Sequence, residues 1–107
     1  MKRGEVWWVR FGPSVGEEIN KQRPAVIVSN DASNKFLNRL QVVPLTSKVG
    51  KVYPGEALVT FRNKQGKAMA DQLTTVSKLR LGSRAGILSA QEMERIETAL
   101  KVQLNLS

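Results

Sequence analysis

The chain has no cysteine and no histidine among its 107 residues. Without cysteine there are no disulfides, no thiolate metal sites and no thiol nucleophile. Without histidine the usual imidazole base and the commonest metal ligand are gone, so Ser/His/Asp and Cys/His catalytic systems are excluded. Acids are scarce as well: 9 Asp and Glu stand against 17 Lys and Arg, a net charge of +8. Asp31 and Asp71 are isolated, and Glu17 and Glu18 are neighbours that point apart in an extended chain. No carboxylate cluster of the two-metal type is legible, which predicts chemistry without a metal or cofactor. No apolar run approaches the roughly 20 residues of a membrane span. The N-terminal Met1-Lys2-Arg3-Gly4-Glu5 lacks the apolar core of a signal peptide, so a cytoplasmic location is expected.

What is present is a small basic protein whose length fits one domain. Residues 90–107 hold 2 of the Lys and Arg and 3 of the acids, so the positive field belongs to residues 1–89. Such a field favours acidic partners, nucleic acid foremost. Val6–Phe11 reads as a strand apolar on both faces, Val6 and Trp8 on one, Trp7, Val9 and Phe11 on the other. Such a strand must be covered twice, by its own barrel plus a helix or by a second copy, which predicts a dimer. The two tryptophans could stack on bases, but their place in a doubly apolar strand favours core or interface packing. A Gly/Pro-bearing loop, Gly12–Asn20, then leads to Lys21-Gln22-Arg23-Pro24-Ala25-Val26-Ile27-Val28-Ser29. Pro24 biases Arg23 toward extended backbone, and the β-branched run after it is a buried strand. Arg23 therefore stands at the mouth of a rigid strand, where its fork suits a phosphate.

Leu40–Leu45 is a third strand, with Pro44 demanding an edge or bulge just before the hydroxyls of Thr46 and Ser47. A loop from Ser47 to Gly55 carries Lys48, Lys51 and one aromatic. Strands follow over Glu56–Phe61 and Lys67–Leu73, joined by a basic turn, Arg62–Gly66, and another near Ser83–Leu88. Asp71 and Gln72 interrupt the apolar pattern, so Asp71 is expected to orient Arg23 or pair with another basic residue, then to act as base or touch substrate, with plain exposure the remaining reading. Ser89-Ala90-Gln91-Glu92 fits a capping box, and Met93, Ile96, Leu100 and Leu104 then mark one face of a helix. The sum is a mostly β, barrel-like domain closed by a C-terminal helix. Candidate nucleic-acid contacts are Asn20, Lys21, Ser47, Lys48, Lys51 and Gln72.

These stretches resemble the MazF/PemK-type toxins of bacterial toxin–antitoxin pairs. The resemblance is carried by Arg3-Gly4-Glu5-Val6-Trp7-Trp8-Val9, Gly16-Glu17-Glu18 and Lys21 to Asp31. Val42-Val43-Pro44-Leu45-Thr46-Ser47, Ala70-Asp71-Gln72 and Glu94 to Leu100 continue it in family order. It implies an SH3-like barrel that forms a homodimer, with no cofactor. The implied activity is ribosome- and metal-independent cleavage of single-stranded RNA, chiefly mRNA, leaving a 2′,3′-cyclic phosphate and a 5′-hydroxyl. A cognate antitoxin is the implied partner. The family's catalytic Arg and Thr fall on Arg23 and Thr46, and its acid before Gln falls on Asp71. The sequence departs from some relatives at Met69, where they carry a basic residue, and in lacking a histidine in the first loop. The proton acceptor stays open among Asp71, Glu17 and Glu18. Two other readings share the architecture: a barrel that binds nucleic acid without cutting it, and a toxin that inhibits DNA gyrase.

Overall fold

In the computed structural model, which describes residues 1–12 and 22–107, the doubly apolar segment is strand β1 (Glu5–Arg10). Strand β2 (Gln22–Ile27) follows, then a short helix α1 (Asp31–Phe36) and β3 (Arg39–Thr46). Next come β4 (Glu56–Phe61), β5 (Lys64–Met69), a 3-10 turn (Ala70–Gln72) and β6 (Thr74–Ser77). A second 3-10 turn (Lys78–Arg80), β7 (Leu81–Ile87) and helix α2 (Ala90–Leu104) complete the chain. The strands form one antiparallel sheet in the order β4-β5-β3-β2-β1-β7, with β6 also on β3. Most of the anticipated loop Gly12–Asn20 lies outside the described residues.

Strand β3 bends the sheet into a partial barrel. Its first half, Arg39 to Val42, pairs with β6, and its end, Leu45 and Thr46, pairs with β5. Pro44 is therefore on neither an edge nor a bulge, as the sequence suggested. It lies in an interior strand, opposite Ala25 of β2. On the other flank it falls in the gap where the partner changes from β6 to β5, and neither strand places a residue opposite Val43 or Pro44. A residue without a backbone donor is tolerated at such a break.

Two buried clusters lie on the two faces of the sheet. Val6, Val26, Val43 and Val59 pack with Met93, Ile96 and Ala99 of α2. Val9, Ala25, Ile27, Leu40, Val42 and Val76 form the other, with Trp7 and Phe11 against it. The alternation read from β1 is thus obeyed, and Val6 and Val9 are both fully buried. One chain covers both faces, so the reason the sequence offered for a dimer is already met within the protomer.

Helix α2 starts as its sequence demands. Ser89 Oγ accepts from Glu92 N–H, and Glu92 Oε1 accepts from Ser89 N–H at 2.9 Å, the reciprocal box. Glu92 Oε2 also accepts from the Thr60 N–H, tying the helix start to β4. Burial raises the Glu92 pKa, but these hydrogen bonds outweigh it and hold the carboxyl below its ordinary range. The buried face is Met93, Ile96 and Ala99 with Leu100 half-buried, whereas Leu104 is 50% exposed. The expected stripe therefore ends one turn early. Full burial of Ile96 contributes roughly 1.5–3 kcal/mol relative to exposure.

The expected strand Lys67–Leu73 is two elements. β5 begins earlier, at Lys64, because the connection after Phe61 is only two residues, Arg62 and Asn63. Their φ angles of 52° and 64° are those of a type I′ hairpin, which suits the strand twist. β5 stops at Met69, and Asp71 sits on the 3-10 turn rather than in a strand. Helix α1 and β6 were not anticipated. Asn30 caps α1 by accepting from Ser33 N–H at 2.8 Å. Asp31 accepts from Arg3 N–H at 2.7 Å, which with Asn34 lowers its pKa and joins the N-terminus to α1.

Candidate functional site

The register of β2 on β3 decides where Arg23 and Thr46 lie. Ala25 pairs with Pro44, so two positions further along each strand stand Arg23 and Thr46, on the same face. Both line a cleft of about 420 Å³ at these strand ends. Its apolar floor is Trp8, Pro24, Leu45, Val59 and Phe61, and its polar rim is Arg23, Thr46, Ser47, Arg62, Lys64 and Gln65. The sheet thus converges three cationic side chains and two hydroxyls on an apolar concavity. That is a binding arrangement for a polyanion carrying flat apolar groups.

Arg23 is exposed and Thr46 half-buried. Thr46 Oγ1 accepts from the backbone N–H of Lys48 at 3.2 Å, and among the described residues its own proton remains to be donated. That single bond is the structural use of Lys48 seen here. Thr46 is braced from below by β5, where Lys67 is its register partner. Gly66 allows the approach: a Cβ there would lie 2.6 Å from the Thr46 carbonyl oxygen. Any larger residue at position 66 would push β5 and Thr46 apart.

Of the sequence candidates, Arg23, Thr46 and Ser47 come together in the cleft. Lys48, Lys51, Asp71 and Gln72 do not line it. The Lys51 ammonium lies over the Tyr53 ring, 5.4 Å from its centroid. Asp71 and Gln72 are exposed on a turn that packs against α2 at the other end of β5 from Lys64–Gly66. The Gln72 amide donates to the Met69 sulfur at 3.5 Å, and Met69 is buried. Among the described residues no ion pair joins Asp71 to Arg23. Glu17, Glu18, Asn20 and Lys21 lie outside the described residues.

The sequence reading did not single out Phe61, Arg62 or Gly66 for the site, and it assigned Trp8 to packing. Trp8 and Phe61 meet edge to face with centroids 6.4 Å apart in the cleft. The available signal was alternation: Trp8 lies opposite Pro24, on the face next to the Arg23 strand end.

These features define a class: a small, bent β-sheet protein with one covering helix and a basic cleft with an apolar floor at its strand ends. Within that class, the chain belongs to the PemK-like, MazF-like toxins of type II toxin–antitoxin systems, whose family model matches residues 2–104. It is 42% identical to endoribonuclease MazF9 of Mycobacterium tuberculosis over 115 aligned positions, covering 99% of this chain and 98% of that protein. A mycobacterial endoribonuclease solved with its cognate antitoxin superposes with a TM-score of 0.85 at 28% identity, covering 100% and 97% of the two chains. MazF from Deinococcus radiodurans gives a TM-score of 0.81 at 25% identity, covering 99% and 97%.

Proposed function

We propose that this toxin is an endoribonuclease that cuts single-stranded RNA in the Arg23–Thr46 cleft. The carrying observation is that a guanidinium and a hydroxyl, remote in sequence, line one cleft with an apolar floor at adjoining strand ends. Kinship with MazF9, named an endoribonuclease, supports the same activity.

In this reading the nucleophile is the substrate's own 2′-hydroxyl, as the family resemblance implies; lacking histidine and cysteine, the chain offers no imidazole or thiol nucleophile in its place. Its oxygen bonds to the adjacent phosphorus as the bond to the 5′-oxygen breaks. The products are a 2′,3′-cyclic phosphate and a 5′-hydroxyl. Arg23 neutralises charge growing on the non-bridging oxygens, and Thr46 donates to one of them. A carboxylate takes the 2′-hydroxyl proton, and the leaving 5′-oxygen takes a proton from water to become the 5′-hydroxyl. Single carboxamide replacements of Glu17, Glu18 and Asp71 test the acceptor, Asp71 being the one that lies away from the cleft of its own protomer. An ordinary carboxylate, pKa about 4, is a weak base at neutral pH, and modest turnover follows.

Single-stranded RNA carrying one 2′-deoxyribose on the 5′ side of the cut tests this step. Cutting there should stop while binding persists, because the phosphate contacts survive. Continued cutting at that position overturns the mechanism.

The partners of this reading are a cognate antitoxin and a second copy of the chain. A mycobacterial relative was solved with its antitoxin. Phe36, Leu79 and Ile87 are 77%, 88% and 65% exposed, apolar side chains that a second copy could cover. Light scattering at micromolar concentration should return twice the chain mass. Among the described residues no helix is long and apolar enough to cross a membrane.

A further inference from the structure

We infer that Trp8, Phe61 and Arg62 form a seat for one nucleobase next to the scissile phosphate, a reading that rests on RNA being the substrate. The two rings make a corner, edge to face at 68° and 6.4 Å between centroids. The Arg62 guanidinium carbon sits at the mouth of that corner, 5.6 Å from the Trp8 centroid and 5.5 Å from that of Phe61. All three residues line the same cleft as Arg23 and Thr46.

The backbone fixes this geometry. Phe61 is the last residue of β4, and Arg62 opens a two-residue turn with φ of 52°, so its side chain starts from a defined point above the rings. Trp8 is held in the middle of β1, opposite Pro24. A cation on two aromatic faces is worth little when exposed, so the guanidinium leaves them readily. An unstacked base meets flat apolar surface on Trp8 and Phe61 and a planar cation that closes over its other face. Single-stranded RNA is held by such stacking on rings and guanidinium planes. Every base has such a face, so the seat gives affinity and position with little choice of base. Its place beside Arg23 makes the seated nucleotide a neighbour of the reacting phosphate.

The test uses the full chain and uncleavable RNA oligonucleotides that carry the 2′-deoxyribose described above and one abasic site, moved position by position across the cut. Removing the seated base should weaken wild-type binding roughly 5- to 100-fold at one position flanking the cut. Phe61→Leu and Arg62→Ala should each shrink that penalty toward onefold, leaving penalties at other positions unchanged. Circular dichroism melts of each variant verify folding, and a Phe61→Leu chain that fails to fold leaves Arg62→Ala, on the exposed turn, to decide. A penalty that survives in one folded variant removes that residue from the seat. Survival in both, or no flanking penalty in the wild type, overturns the proposal. Failure of the wild type to cut all-ribose RNA would instead refute the endoribonuclease reading, while the binding series still reports on the seat.

Discussion

Arg23 and Thr46 line one cleft at the ends of β2 and β3, each two residues beyond the last paired positions, Ala25 and Pro44. Because the pair is set by register, either side chain can be altered without moving the other. Arg23→Ala should lower the single-turnover cleavage rate by about 10²-fold or more, by analogy with loss of one oxyanion donor. Arg23→Lys should recover part of this, since a point charge replaces the fork. Thr46→Ala should cost less, because a neutral hydrogen bond is about half as strong as a charged one. Full activity of Arg23→Ala would remove it from the reaction.

Gly66 makes a separate prediction. An alanine methyl would be driven to 2.6 Å from the Thr46 carbonyl oxygen, a backbone atom that cannot rotate away. Overpacking of this kind costs about 1–3 kcal/mol, and here the relief displaces Thr46. Gly66→Ala should therefore lose cleavage activity by a larger factor than Thr46→Ala while melting at a lower temperature. Wild-type melting and wild-type rate together would show that β5 has room.

Acid should weaken the fold through Glu5. Burial raises its pKa, but donors from Lys2 N–H, Trp7 and Arg84, with the N-terminal ammonium, outweigh it and bring the value from 4.5 to about 2. The folded state holds this carboxylate charged more strongly than the unfolded chain does. Its contribution is therefore full above about pH 4.5 and is lost as pH falls toward 2. Urea midpoints for wild type and Glu5→Gln should differ most at pH 6 and converge near pH 2. A gap that stays constant across that range would contradict the assignment.

A cleft rimmed by Arg23, Arg62 and Lys64 predicts how an antitoxin would silence it. An acidic, disordered segment would order on binding there and exclude the substrate. Its affinity should fall as salt rises, and uncleavable RNA should compete with it. A stable ternary complex, with both held tightly at one cleft, would show inhibition from elsewhere.

How much of this was readable follows from how local each signal is. The α2 start was legible because Ser89 and Glu92 are three residues apart and satisfy each other. Arg23 and Thr46 were legible as candidates because proline flags each strand end, although their meeting depends on a β2–β3 register that no local pattern encodes. Strand β6 was missed because Thr74–Ser77 is four residues long with Val76 alone buried, too little for an alternation. Helix α1 was missed because its six residues bury Asn34, a polar anchor, so no apolar face announces it. Its amide donates to the Ser29 carbonyl at 2.9 Å, a contact that only the fold reveals. The Arg62–Asn63 turn lacks the glycine that usually marks a type I′ hairpin. Trp8 carried two readings at once, packing and base stacking, and its meeting with Phe61 in the cleft is a contact that only the fold reveals.

The pairing of β1 with β7 has a consequence for the order in which the chain can close. Glu5 lies opposite Ile87, Gly4 accepts from Leu88 N–H at 2.9 Å, and Arg3 donates to Glu97 at 2.9 Å. The β4–β5 hairpin, joined by two residues, can close within microseconds of leaving the ribosome. The first strand must wait for the last strand to pair its second edge, and the face that carries Val6 must wait for Met93 and Ile96 of α2 as well, at a synthesis pace of roughly 5–20 residues per second. The two ends of the chain are thus closed against each other last, and that face of the sheet is covered only once α2 has been translated.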